Sequence, residues 1–293
     1  ASPGRVWSKQ DVQMLGIIAS HSASVVEKAR LRVEAEEKRR LELERDAMEK
    51  ELRLARDIQM QLVPAAPLAF GAWQVEGQLI PAKLVGGDFF DYFRLDDARV
   101  AVIVADVSGK GIPAALLVST VQSAVRAFAD GVMLPHVLID RVNRAVVRSA
   151  AAGKFVTVFY AEIDHVRGSI TYVNGGHNHP RLRRADGAAG QDHFVAGGLP
   201  LGLFEGMPYE QSEAAFGAGD SLLIYSDGIS EAMDSFQQEY DETRLDEIWR
   251  ACGGLSPAES IARITQDVLA FRGAAAQSDD MTTVVVAPAR AGA

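Results

Sequence analysis

Four short acidic motifs carry the chemistry this chain can offer: Gly86-Gly87-Asp88-Phe89-Phe90-Asp91, Ala105-Asp106-Val107-Ser108-Gly109-Lys110-Gly111, Ser226-Asp227-Gly228 and Ser278-Asp279-Asp280-Met281-Thr282. Three of them adjoin apolar, β-branched runs. Val100 to Val104 leads into Asp106, Ser221 to Tyr225 leads into Asp227, and Asp279 and Asp280 precede Thr283 to Val286. Such runs read as strands buried in a sheet. A carboxylate at the end of a buried strand is costly unless it is paired or bound to a metal. Several Asp converging from strand ends, with no Cys or His at ligand spacing among them, suit a hard cation of the Mg²⁺ or Mn²⁺ kind. Taken singly, an Asp at a strand end is more often a turn or helix cap, and the glycines after Asp106 and Asp227 read as turn residues.

The elements that must position these residues follow from pattern. From Lys9 to Leu62 there is no Pro and a single Gly, Gly16, and the segment is dominated by Glu, Arg, Lys, Leu and Ala. These are strong helix formers. Leu41, Met48, Ala55 and Leu62 recur every seven residues, but of the companion positions Arg45, Leu52 and Gln59 only Leu52 is apolar. A helix this long and polar cannot bury its stripe against itself, so the expected arrangement is a coiled-coil homodimer; the alternative is a solvated helix on its own domain. Pro64 and Pro67 end the helix,. Strands are predicted over 73–80, 88–95 and 99–106, helices over 112–130 and 135–151, and a hairpin over 155–163 and 169–173. A Gly- and charge-rich connection follows over 183–198, then strands over 209–215 and 221–225, helices over 241–251 and 257–271, and a final strand. Strands and helices come in blocks, which favours an α+β layered sandwich over strict βαβ alternation.

Composition narrows the function. The 293 residues hold one large domain or two ordinary ones, and 48% hydrophobic content is ample for a core,. No apolar run approaches the roughly 18 residues that span a bilayer, and the N-terminus lacks the parts of a signal peptide, so a cytoplasmic protein without a membrane partner is expected. The single Cys252, in a polar, Gly-rich context, excludes a disulfide framework and a Cys-based zinc site,. Glu27 to Asp57 holds ten acidic and ten basic residues, whereas the remainder holds 29 acidic and 20 basic, the whole of the −9 net charge. An acidic globular part lacks the basic footprint of a nucleic-acid binder.

Two local matches fail. Gly86-Gly87-Asp88-Phe89-Phe90 differs from the diguanylate cyclase GGDEF signature by Phe89 in place of the acidic fourth residue. Gly109-Lys110-Gly111 lacks the Ser or Thr after the Lys and the preceding Gly of a P-loop,.

The ordered combination of motifs resembles the SpoIIE/RsbU-like bacterial branch of the PPM (protein phosphatase 2C superfamily) metal-dependent Ser/Thr phosphatases. The resemblance runs from about Leu68 to Pro288 and includes Pro81-Ala82 through Tyr92, Val104 through Ala115, Asn174-Gly175-Gly176-His177, Leu199-Pro200-Leu201-Gly202, Tyr225 through Ala232, and Asp279 through Val286. It implies a PPM-type α/β/β/α sandwich of two antiparallel sheets flanked by helices over 68–288, preceded by a long N-terminal helix over 1–63. It further implies two Mn²⁺ or Mg²⁺ ions. Asp106 is then the bridging ligand, the Val107 carbonyl a further one, Asp227 and Asp279 complete the shell, and Asp88 helps directly or through water. Asp91 and Asp280 stand behind these ligands or act as caps. The implied reaction is hydrolysis of phosphoserine or phosphothreonine by a two-metal activated hydroxide, with a phosphorylated STAS-type anti-anti-sigma protein as substrate. An Arg that grips phosphate just before the first motif in eukaryotic relatives has no equivalent here, Lys83 and Lys110 being the nearby cations. His177 beside its tight turn reads as structural, and the 198–202 loop as a plain or regulatory loop. Trp7 to Leu31 resembles the closing helix of a GAF sensory domain, so the helix reads as a regulatory linker. The competing class is a catalytically degenerate phosphatase-fold binding module that recruits a signalling partner through its helix.

Overall fold

The computed structural model describes residues 7–149, 153–186, 189–190, 194–195 and 197–289. The chain divides into two compact units, Ala1–Leu52 and Arg53–Ala293. Helix α1, Lys9–Met60, begins in the first. Its start is capped reciprocally: Asp11 N–H donates to Ser8 Oγ at 3.2 Å, and Ser8 N–H donates to Asp11 Oδ2 at 3.0 Å,. Ion pairs one turn apart, Arg30–Glu34 at 2.9 Å and Arg40–Glu44 at 3.5 Å, line its exposed surface,. Leu41 and Met48 of the heptad stripe are exposed. No described helix is long and apolar enough to cross a membrane.

The second unit is built from strands β1 (Leu68–Phe70), β2 (Trp73–Ile80), β3 (Asp88–Arg94) and β4 (Arg99–Val107), helices α2 (Ile112–Phe128) and α3 (Pro135–Ser149), then β5 (Val156–Asp164), β6 (Ser169–Gly175), β7 (Arg181–Arg183), β8 (Ala189–Gly190), β9 (Ser212–Ala215) and β10 (Ser221–Tyr225). Helices α4 (Asp227–Ser230), α5 (Asp241–Ala251) and α6 (Pro257–Arg272) precede β11 (Met281–Pro288). Among the described residues one sheet runs β1-β2-β11-β10-β7-β8 and the other β3-β4-β5-β6-β9, with every pairing antiparallel. The expected α/β/β/α sandwich is therefore present.

The layering explains why the strands read as continuous apolar runs. Side chains alternate along a strand, and both faces of β4 are covered. Val100, Val102 and Val104 pack between the sheets with Phe90, Tyr92, Val284 and Val286. Ala101, Ile103, Ala105 and Val107 pack against Val118, Val121 and Val125 of α2 and Leu138 and Val142 of α3. On the other sheet, Leu223, Tyr225 and Val285 meet Leu245 and Trp249 of α5 and Ile261 and Ile264 of α6. Cys252 is buried in this last cluster. Its polar, Gly-rich sequence context is misleading, because the buried thiol packs inward while the following glycines turn the chain outward.

Short elements escaped the sequence pattern. β1, β7, β8 and α4 have two to four residues each, too few to show a period, so the 183–198 connection contains strand where loop is expected. Strand β9 begins at Ser212 and not at 209 because Tyr209 turns its ring into the α3-side core. The expected end of α3 at 151 lies outside the described residues.

Candidate functional site

The register of β3 and β4 sets Asp88 directly opposite Asp106. Strand alternation puts both on the face that Phe90, Tyr92, Val102 and Val104 present to the other sheet, at the end where the strands stop,. Asp91 is one step out of phase and faces the α2 layer. From the other sheet, Tyr225 of β10 pairs with Thr283 of β11, so the exit of β10 into Asp227 lies beside the entry of β11 from Asp279 and Asp280. Four motifs spread along the chain thus meet at one edge of the sandwich.

Hydrogen bonds lock this edge. Thr282 Oγ1 donates to Asp88 Oδ2 at 2.6 Å. The Asp280 carboxylate accepts from the backbone N–H groups of Ala82 (2.8 Å), Gly87 (2.7 Å) and Asp88 (3.3 Å), so it ties the β2–β3 connection to β11. Ser226 Oγ accepts from Thr282 N–H at 3.0 Å. Two glycines are required by close approach: a Cβ at Gly87 would stand 2.7 Å from the Val107 carbonyl oxygen, and one at Gly228 would stand 2.0 Å from that of Asp280.

The electrostatics are those of crowded carboxylates. Burial first, then the Asp106 charge, pushes Asp88 well above the usual carboxylate range. Burial, then the Asp227 charge, raises Asp106 to about 7. Asp227 is raised by burial and then by Asp279. Lys110 Nζ lies 2.9 Å from Asp279 Oδ2 and also donates to the Ser278 carbonyl. Among the described residues no three carboxylate, His or Cys side chains already converge as ligands of one ion. Asp88 is engaged by Thr282, Asp280 by three amides and Asp279 by Lys110. The donor set nevertheless fits hard divalent cations: it consists of carboxylates and a backbone carbonyl, and its charges repel one another without a counter-ion.

Asp91 has another partner. Its carboxylate accepts from Arg126 Nε at 2.7 Å and Arg126 Nη2 at 2.6 Å, and that guanidinium lies 4.1 Å from the centre of the Phe93 ring. Arg126 was not legible as its partner, since the two are joined only through the β3–α2 packing. Gln59 was missed as well. Its Nε2 donates to the Gly86 carbonyl at 2.9 Å and its Oε1 accepts from Gly86 N–H at 3.2 Å, with the side chain buried. The available signal was a polar residue at a companion position of the heptad stripe. Gln122 Nε2 donates to the Leu62 carbonyl at 2.9 Å, holding the chain that leaves α1 against α2.

His177 is buried beside its turn. Asn174 accepts from His177 N–H at 2.8 Å and donates to its carbonyl at 3.0 Å, and the ring Nδ1 lies 2.9 Å from Thr157 Oγ1. Burial lowers its pKa to about 4, so the ring is neutral; the Asn174 bonds to the His177 backbone hold the turn, and the ring ties it to β5. The 198–202 loop is pinned to β5 by reciprocal Val156–Leu201 hydrogen bonds and to α3 by Gly202 N–H donating to Asn143 Oδ1 at 2.8 Å.

Residues 96–288 match the family described as Stage II sporulation protein E (SpoIIE). The chain is 29% identical over 181 residues to phosphoserine phosphatase RsbU of Bacillus subtilis, a match covering 62% of this chain and 53% of that protein. It spans about half the length of the curated relatives it matches. Among solved structures, the SiaA-PP2C domain of Pseudomonas aeruginosa superposes with a TM-score of 0.71 at 18% identity, covering 84% of this chain and 98% of that one. The catalytic domain of the serine/threonine protein phosphatase PstP, in complex with 2 manganese ions, superposes with a TM-score of 0.51 at 16% identity, covering 74% of this chain and 99% of that one.

Proposed function

The chain belongs to the SpoIIE family, and on that premise we propose that it is a metal-dependent protein phosphatase acting on phosphoserine or phosphothreonine. The observation that carries this reading is the Asp88–Asp106 pair meeting the Asp227 and Asp279 segments at one edge of the sandwich. Asp106, Asp227 and Asp279 with the Val107 carbonyl would hold two Mn²⁺ or Mg²⁺ ions, Asp88 assisting directly or through water. Bound divalent cations at this edge supply Lewis acidity toward a phosphoryl group and an activated water as nucleophile.

The chain's own residues prepare the edge. Asp280 fixes the Gly87 and Asp88 amides, which sets the height of the first motif against β11. Thr282 orients the Asp88 carboxyl. Lys110 offsets the charge of Asp279 from 2.9 Å. Asp91 with Arg126 anchors β3 to α2 and stays out of the ligand set.

The substrate we favour is a phosphorylated STAS-domain protein in a partner-switching pathway in the cytoplasm, a reading supported by the phosphoserine phosphatase relative. The exposed apolar stripe of α1 supports a homodimer through that helix, with 1–63 acting as a regulatory linker and 68–288 as the catalytic domain. The alternative, a degenerate binding module, is disfavoured by the retention of mutually repelling, buried carboxylates that a recruiter has no use for.

The test is phosphate release from a phosphorylated STAS-domain protein with Mn²⁺ titrated in, for wild type and Asp106→Asn. Metal-dependent release that collapses in the variant supports the reading. No release together with no metal binding by calorimetry sinks it in favour of the binding module.

A further inference from the structure

At the pole of the sandwich opposite the carboxylates lies a cavity of about 430 Å³, lined by Arg183, Arg184, Asp186, Arg250, Gly253 and Pro288 among others. It sits at the start of β10 and the end of β11, whereas the carboxylates sit at the end of β10 and the start of β11. The two sites are therefore separated by a strand length, roughly 15 Å at ~3.3 Å per residue.

Arg183 is the unusual residue here. It is 6% exposed, yet no carboxylate among the described residues pairs with it. Its guanidinium lies 4.3 Å from the centre of the Trp249 ring, and Nη1 donates to the Trp249 carbonyl at 2.8 Å. One carbonyl satisfies one of the five N–H donors of a guanidinium. Among the described residues no other hydrogen bond holds the guanidinium, and Arg183 lines the cavity. Burial lowers the Arg183 pKa, offset in part by the Cys252 thiol. Burying a charge in this way is costly unless an anion compensates it.

The surroundings supply the rest of a cradle. Arg250, exposed at the end of α5, also lines the cavity. Arg184, which donates to Asp220 Oδ2 at 3.0 Å and to the Ala215 carbonyl at 2.9 Å, and Asp186 line the same wall. Gly254, at φ +74, has open space where a side chain would stand and leaves that side of the cavity open. Three arginines lining one cavity suit a phosphate, whose several oxygens accept from different directions,. The volume exceeds by more than tenfold the ~30 Å³ share of one water, so it leaves room for an organic body behind the anion.

We propose that this cavity binds a small phosphate-bearing molecule, its phosphate held by Arg183 and Arg250, at a site separate from the carboxylate edge. The proposal does not rest on the phosphatase reading.

The experiment uses the full chain in EDTA, titrated by calorimetry with inorganic phosphate and with adenosine monophosphate as probes. Saturable binding that weakens about tenfold or more in Arg250→Ala and is lost in Arg183→Met, yet persists in Asp279→Asn, is the expected result. Tighter binding of the monophosphate than of phosphate marks an ester as the natural ligand, and the reverse marks free phosphate. Because Arg250 is exposed, its variant folds even where Arg183→Met does not. Absence of saturable binding of both probes, unchanged affinity in Arg250→Ala, or loss only in Asp279→Asn each overturns the proposal.

Discussion

Asp88 and Asp106 are direct cross-strand partners on one face of β3 and β4, an arrangement that like charges oppose. Burial and the Asp227 charge hold Asp106 at about 7 against an ordinary 3.8. Between those pH values the folded chain binds this proton more tightly than the unfolded chain does. Metal-free stability therefore falls as pH rises from about 4 to about 7, and above that the whole penalty is in force. At pH 8 in EDTA, Asp106→Asn is expected to be more stable than wild type by on the order of 4 kcal/mol, the gap narrowing toward pH 5. Urea denaturation at the two pH values checks this, and parallel pH curves for the two proteins would count against it.

Gly87 admits no side chain, because its Cβ would press on the Val107 carbonyl at 2.7 Å, a backbone atom that cannot rotate away. Gly87→Ala is expected to move the first motif away from β4. Mn²⁺ affinity falls roughly 10–100-fold, as for other losses of support around ligands, while the far-ultraviolet circular dichroism is kept. Calorimetric titration of Mn²⁺ decides it; an unaltered isotherm would show that the contact relaxes harmlessly.

Gln59 engages both backbone groups of Gly86, the residue before Gly87 and Asp88. In Gln59→Leu both groups lose their partner in a buried place, at a cost of about 1–3 kcal/mol each. The first motif is then less well held, and phosphate release at saturating Mn²⁺ is expected to drop at least about tenfold, equivalent to 1.4 kcal/mol. Single-turnover rates measure it. A full rate in the variant would assign Gln59 to packing alone.

Arg126 is half-exposed, but its partner Asp91 is almost wholly buried, with 1% side-chain exposure. Arg126→Met strands that carboxylate and is expected to destabilise the protein by about 2–3 kcal/mol, less than a fully buried pair because of the solvent around Arg126. Adding Asp91→Asn to the variant recovers much of the loss. Thermal melts of the two variants and the double variant test the coupling, and additive losses would disprove it.

Much of this molecule was legible in the sequence where elements are long enough to show a period. Helices α2, α5 and α6 and strands β2, β4, β10 and β11 lie within two residues of their expected bounds or extend them slightly. Strands covered on both faces by apolar layers have to be apolar throughout, and that writes itself into sequence. The acidic motifs stood out for the converse reason, as charges placed where burial makes them expensive. What they hold was inferred from family resemblance as much as from physics, because one Asp at a strand end looks like any other.

The sequence by itself determined which residues carry charge next to buried strands, how the strand and helix periods run, and that a polar helix of this length stands before the rest. Tertiary structure alone decided which carboxylates share a face. The β3–β4 register turns Asp88 toward Asp106 and Asp91 toward Arg126, and the crossing of two sheets brings Asp280 to the amides of Gly87 and Asp88. It also decided that Gln59 reaches Gly86 and that Arg183 is buried beside a cavity with no carboxylate partner among the described residues. The physical reason is range: period and propensity act within a few residues, whereas pairing, burial and charge compensation depend on groups that only the closed fold makes neighbours.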